Sequence, residues 1–296
     1  MKFTNTHNLP VPLVNAIAKD YKYTENTIGV TSLIKSPQEY RLTKRHYDEM
    51  ETDVSEGLWR VLGDCIHALL EKNSPEGQAE LSMFCEMDGM RVRGRTDLYE
   101  KADESVTDWK VTSVYSFLLG DKEDWIWQNN IYGYILRKNG LPVSNLRIYA
   151  ILRDWKKRDA QKDQNYPQIP FKEKKIELKP DEEVGRYIKE RLALHLLTES
   201  LPDDKLPECT ATEKWQRLPT WALKKKGAKR ATRVFEKEEY ANTAIVSMPE
   251  KDAKNYIIEA RQGENVKCTN YCSAFPFCMQ AKREGIVSEK EKGEQQ

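Results

Sequence analysis

The chain has 296 residues, with 48 Lys and Arg against 47 Asp and Glu, a formal net charge of +1 and 32% charged residues. No apolar run approaches the length needed to span a bilayer, and the opening MKFTNTHNLP lacks the basic and apolar regions of a secretory signal, so a polar, cytoplasmic protein without a membrane partner is expected. A balance near zero neither announces nor excludes a nucleic-acid binder, because acidic helices can offset a basic groove.

Residues 1–27 are a weakly patterned lead-in, with a short helix expected around Val11 to Lys19. Ser36-Pro37 suits a helix start, with a helix through residues 38–46. Residues 56–72 read as an amphipathic helix whose apolar stripe is Leu58, Leu62, Cys65, Ile66 and Leu69. His67 falls at the edge of that stripe, one turn beyond Gly63, where the missing side chain leaves room for another element to approach. A β-rich region follows: a strand over 80–86, a turn at Asp88-Gly89, and a returning strand over 90–99. A further strand ends in Val106-Thr107-Asp108-Trp109-Lys110-Val111-Thr112. Residues 124–138 form a second helix, with Gln128 and Tyr132 on one face.

Beyond it are a strand over 146–152, a charged loop over 156–164, an edge strand over 171–178 and a helix over 181–197. His195, among leucines near the end of that helix, reads as structural. Residues 201–207 look like a linker. After it come Cys209, a hairpin pairing 221–226 with 231–235, a helix over 236–244 and a strand over 256–260. Lys224, Lys225, Lys226, Lys229, Arg230 and Arg233 are the clearest basic cluster. The tail from Glu284 reads as disordered.

The chemistry concentrates on the two strands through Asp97 and Asp108. Side chains two apart on a strand face the same way, so Asp108 and Lys110 share a face, and a neighbouring strand can bring Asp97 to the same point. Two carboxylates and an ammonium together suit a hard divalent cation and a phosphate.

In order along the chain stand Gly63 and His67, Gly94 and Asp97, Asp108 and Lys110, then Gln128 and Tyr132. This series resembles the RecB-like branch of the PD-(D/E)xK nuclease superfamily, whose G-x-x-x-H helix, G-x-x-D strand, (D/E)-x-K strand and Q-x-x-x-Y helix follow one another in this order. The resemblance covers about residues 28–200. It implies an α/β (α+β) restriction-endonuclease-like core, a central mixed sheet flanked by helices. It also implies Mg²⁺ or Mn²⁺ held by His67, Asp97, Asp108 and the carbonyl of Trp109, with Lys110 orienting water or stabilising developing charge. Gln128 and Tyr132 would touch the substrate backbone.

The six cysteines of a cytosolic chain are not expected in disulfides. Cys268, Cys272 and Cys278 are bunched, and Cys209 is the candidate for a fourth ligand. This looks like the iron–sulfur nucleases of the same branch, implying a [4Fe–4S] staple in residues 201–283, although there the distant cysteine lies before the core and the second gap is shorter. Zinc is the alternative. The expected function is a metal-dependent DNase binding DNA through its backbone. An exonuclease on ends or single strands is favoured, in a recombination, repair or phage setting and with a recombination or strand-annealing partner. The alternatives are a structure-specific endonuclease and a non-catalytic DNA-binding protein on the same fold.

Overall fold

The structure, a computed structural model, describes residues 1–19, 23–75, 78–118, 120 and 122–288. The chain divides into two units, Met1–Pro202 and Asp203–Gln296. Among the described residues no helix is long and apolar enough to cross a membrane.

The first unit begins with strand β1 (Lys2–Thr4), helix α1 (Val11–Ile17), β2 (Thr27–Gly29), α2 (Val30–Leu33) and α3 (Pro37–Arg45). Strand β3 (Glu51–Asp53) pairs in parallel with β1. Then come α4 (Leu58–Asn73), β4 (Ala79–Met87), β5 (Met90–Glu100), β6 (Ser105–Thr112), α5 (Val114–Leu118) and α6 (Glu123–Lys138). The unit closes with β7 (Asn145–Leu152), α7 (Lys157–Lys162), β8 (Phe171–Ile176) and α8 (Asp181–Ser200). Residues 157–162, expected as loop, are thus a short helix.

A six-stranded mixed sheet, flanked by helices, runs in the order β2-β5-β6-β7-β8, with β4 also on β5. The turn between β4 and β5 places Asp88 at φ 51° and Gly89 at φ 76°. Positive φ at both central residues is the tight hairpin turn that matches strand twist, and Asp-Gly supplies it at little steric cost. That turn fixes the register, Met87↔Met90 through Ala79↔Leu98. Strand β6 lies antiparallel to β5 and parallel to β7.

Helix α6 carries the core. Its residues from Gln128 through Leu136 are all buried, and Ile131, Ile135 and Leu136 pack with Val92, Leu146 and Ile148 of the sheet. Close approach to β5 depends on Gly94: a Cβ there would lie 3.0 Å from a Tyr132 ring carbon and 3.1 Å from Ile135 Cδ1. Asn130 ties α6 to the start of α8, donating to the Glu177 carbonyl at 3.0 Å and accepting from Lys179 N–H at 2.8 Å.

Helix α4 departs from expectation. None of its residues is buried; Leu58, Leu62, Cys65 and Leu69 of the expected stripe are exposed. The helix touches α1, β5 and β6 rather than lying on the core, and among the described residues of this unit its apolar row stays largely exposed.

In the second unit β9 (Gln216–Arg217) precedes β10 (Thr220–Lys225), β11 (Arg233–Phe235), α9 (Glu238–Val246), α10 (Glu250–Ala253) and β12 (Tyr256–Arg261). Strand β13 (Glu264–Asn265) pairs with β9, and α11 (Val266–Asn270) and α12 (Met279–Arg283) follow. A three-stranded sheet, β11-β10-β12, packs Leu223 and Phe235 against Ala241 of α9. Trp221 packs on this small core, and Lys224 of the basic run pairs with Glu259 at 2.6 Å. Glu284, the first residue of the expected disordered tail, is instead held by Lys214 at 2.8 Å and by Gln280 at 2.7 Å. Residues 289–296 lie outside the described residues.

Candidate active site

The ladder between β5 and β6 ends at Leu98↔Thr107, although β6 continues beside β7 to Thr112↔Leu152. Had it continued, Asp97 would face Asp108. Instead Asp97 Oδ2 accepts from the Trp109 N–H at 2.7 Å, replacing a backbone partner with a carboxylate. In an extended strand a residue's N–H and C=O point to the same edge, so the Trp109 carbonyl also faces this gap. The sheet therefore forks at the Asp97 and Asp108 positions.

Around the fork two sets of groups gather. His67 of α4 brings Nδ1 to 3.5 Å from Asp97 Oδ1 and 4.0 Å from Glu80 Oε1. These three side chains each offer a ligand atom within 4.8 Å of the others, and among the described residues they form the one such set of three. A ring nitrogen and two carboxylate oxygens fit a divalent cation of the Mn²⁺ or Mg²⁺ kind.

Glu80 was absent from the expected site, yet the hairpin register brings it there. Ala79↔Leu98 and Leu81↔Thr96 bracket it, so Glu80 lies across from Asp97, where cross-strand side chains meet. Its φ of 52° is left-handed, an uncommon conformation for a non-glycine residue and one that clusters at functional sites. Arg95 grips the other carboxylate oxygen at 2.7 Å. Burial raises the Glu80 carboxyl above its ordinary range, with Arg95 opposing and Asp97 adding to the rise. The hydrogen bond to Asp97 raises the His67 imidazole.

Asp108 belongs to the second set. It is 2% exposed at its side chain, and its carboxylate is held by Lys110 Nζ at 2.8 Å and by Gln128 Nε2 at 3.0 Å. Gln128 also accepts from Lys110 Nζ at 3.2 Å and donates to the Tyr132 hydroxyl at 3.0 Å. Burial raises the Asp108 carboxyl, opposed chiefly by the Lys110 ammonium. Burial likewise raises the Tyr132 hydroxyl. Gln128 and Tyr132 are both buried, with their polar groups engaged by Asp108, Lys110 and each other. Gln128 touches both Lys110 and Asp108, and the Tyr132 hydroxyl reaches them only through Gln128.

Gly63 does not serve a close contact within the chain, since a Cβ there would meet nothing within 4 Å. The space above it, one turn from His67, is open.

The candidate thiols all lie in the second unit, and none is in a disulfide. Gln280 holds both backbone groups of Cys209, accepting its N–H at 2.8 Å and donating to its carbonyl at 3.1 Å. That residue follows Cys278 by two positions. Burial raises the Cys268 thiol, and the neighbouring Cys278 adds to the rise. The four thiols do not form a set within 4.8 Å, whereas four sulfurs on one zinc, at about 2.3 Å each, would lie about 3.8 Å apart.

No family model and no curated protein matches the chain. Among solved structures, the crystal structure of SSO0001 is similar at a TM-score of 0.45 and 17% identity, covering 64% of this chain and 86% of that one. A protein from Eubacterium rectale described as a "putative exonuclease" is similar at a TM-score of 0.27 and 16% identity, covering 62% of this chain and 68% of that one.

Proposed function

We propose that the chain is a divalent-metal-dependent deoxyribonuclease with a restriction-endonuclease-like core, acting on DNA ends or single strands. The observation that carries this reading is the fork, where His67, Glu80 and Asp97 converge beside the set made by Asp108, Lys110 and Gln128. His67, Glu80 and Asp97 would hold the cation, with Asp108 and the Trp109 carbonyl at its border. A bound divalent cation supplies charge to the phosphate oxygens and acidifies water at neutral pH. Lys110, fixed by Asp108 and Gln128, directs its remaining proton toward the open fork, where it orients attacking water or offsets developing negative charge. Hydrolysis forms one P–O bond from water and breaks one P–O bond of the backbone; the leaving oxygen takes up a proton.

Glu80→Gln keeps the shape of the side chain and removes its charge. The Mn²⁺ concentration that gives half-maximal DNA cleavage should rise by about tenfold or more, with unchanged thermal stability at saturating metal. An unaltered Mn²⁺ requirement would remove Glu80 from the site.

The same reading extends to the cysteines, which we infer to hold an iron–sulfur cluster that fastens the segment at Cys209 to the C-terminal helices. What supports it is the two-way tie between Cys209 and Gln280, two residues after Cys278, together with the close sequence spacing of Cys268, Cys272 and Cys278. Protein purified without oxygen should be brown, contain iron and sulfide, and bleach on Cys209→Ser. Colourless protein carrying zinc, or no metal, contradicts the cluster.

A further inference from the structure

Eight residues before His67 on α4 stands Trp59, with 64% of its surface exposed. The guanidinium of Arg153 lies 4.2 Å from the centre of its ring. Among the described residues Arg153 makes no ion pair, so its charge is not neutralised by a carboxylate. Trp59, Gly63 and His67 succeed one another at spacings of four and line one face of the helix. The open space above Gly63 therefore lies on the path from the indole to His67.

Two separate elements measure the distance from this pair to the fork. Along α4, eight residues from Trp59 to His67 span about 12 Å. Along β7, Arg153 lies three residues past Ala150, which is opposite Lys110, and three strand residues span about 10 Å. A helix and a strand end thus bring an exposed aromatic plane and an unpaired cation to one point beside the site. At the axial rise of a DNA strand that distance is about three nucleotides, and fewer if the strand is extended.

We infer that Trp59, backed on one ring face by Arg153, stacks an unpaired nucleobase of the substrate on its other face as a one-sided clamp, so that the preferred DNA is a single strand or a duplex with a single-stranded end. This rests on the deoxyribonuclease reading and specifies its substrate. Every base offers a flat π-face, so stacking on an indole tolerates any sequence. The guanidinium, held over the indole's first face, supports the ring and can contact the adjoining phosphate. In a blunt duplex the bases are stacked on one another and offer no free face within the strand.

The test uses the full chain carrying Asp108→Asn to prevent cleavage, with Mn²⁺ and fluorescently labelled DNA followed by anisotropy. Trp59→Ala should weaken binding of a short single strand by about 5- to 150-fold, while affinity for a blunt duplex of the same sequence changes by less than about twofold. Trp59→Phe, which keeps a ring, should retain most of the single-strand affinity. Exposure of Trp59 makes a folding defect unexpected, and an unchanged melting temperature checks this. Equal weakening on both DNAs, or an unchanged single-strand affinity, overturns the clamp alone. An Asp108→Asn parent that binds neither DNA overturns both the clamp and the deoxyribonuclease reading.

Discussion

Lys110→Ala is expected to slow metal-dependent DNA cleavage by about a hundred- to a thousandfold, the range seen when one preorganised donor is removed from a developing charge. The Lys110 ammonium contacts Asp108 at 2.8 Å and also donates to Gln128 at 3.2 Å. Removing it leaves the buried Asp108 carboxylate without its ammonium partner, still held by the Gln128 amide at 3.0 Å. Because the loss falls on the reaction step, turnover should drop far more than DNA affinity. Asp108→Ala should act in the same direction, since it releases both Lys110 and Gln128 from their shared anchor. Cleavage at the parent rate by either variant would take these residues out of the mechanism.

The second large effect concerns stability in acid. His195 of α8 is 4% exposed, stacks edge-on against Tyr40 of α3 at 5.0 Å, and places Nε2 3.1 Å from the Leu33 carbonyl. Arg41 and Arg191 face it as well; Arg41 donates to the His195 carbonyl at 3.1 Å. Burial, aided by these two guanidinium groups, pushes the imidazole down to about 4. In the unfolded chain it titrates near 6.5. Between these values the unfolded state binds more protons, so stability is fully present above about pH 6.5 and is lost as pH falls toward 4. The loss between pH 7 and pH 4 should approach about 3 kcal/mol. Denaturant titrations of the parent and of His195→Gln across that range should show the parent losing this much more than the variant. Parallel curves would mean that His195 does not titrate as a buried neutral group.

The strands and long helices of the first unit were legible because burial alternates along β5 and β7 and because Asp88-Gly89 dictates a two-residue turn. The same turn made Glu80 findable. Once Met87 pairs with Met90, counting back seven and forward seven sets Glu80 against Asp97. A lone glutamate at a strand start belongs to no motif, so only the register points to it. Helix α4 shows the opposite failure: an apolar stripe tells which face would be buried, not that anything in the chain covers it. Gln128 and Tyr132 were legible as neighbours four apart, but their direction was not, since burial of α6 depends on Gly94 admitting it to the sheet. The fork itself left no local signal, because the end of a ladder is set by the paths of β5 and β6 together.

The most direct test of a metal-dependent deoxyribonuclease is to incubate the protein with Mn²⁺ and three labelled DNAs: a linear duplex, a closed circle and a single strand. The expected result is loss of the linear and single-stranded DNA, survival of the circle, and no reaction with chelator or with Asp97→Asn. Cutting of the circle would contradict the preference for ends. Survival of all three DNAs with both Mn²⁺ and Mg²⁺ would contradict the assignment itself.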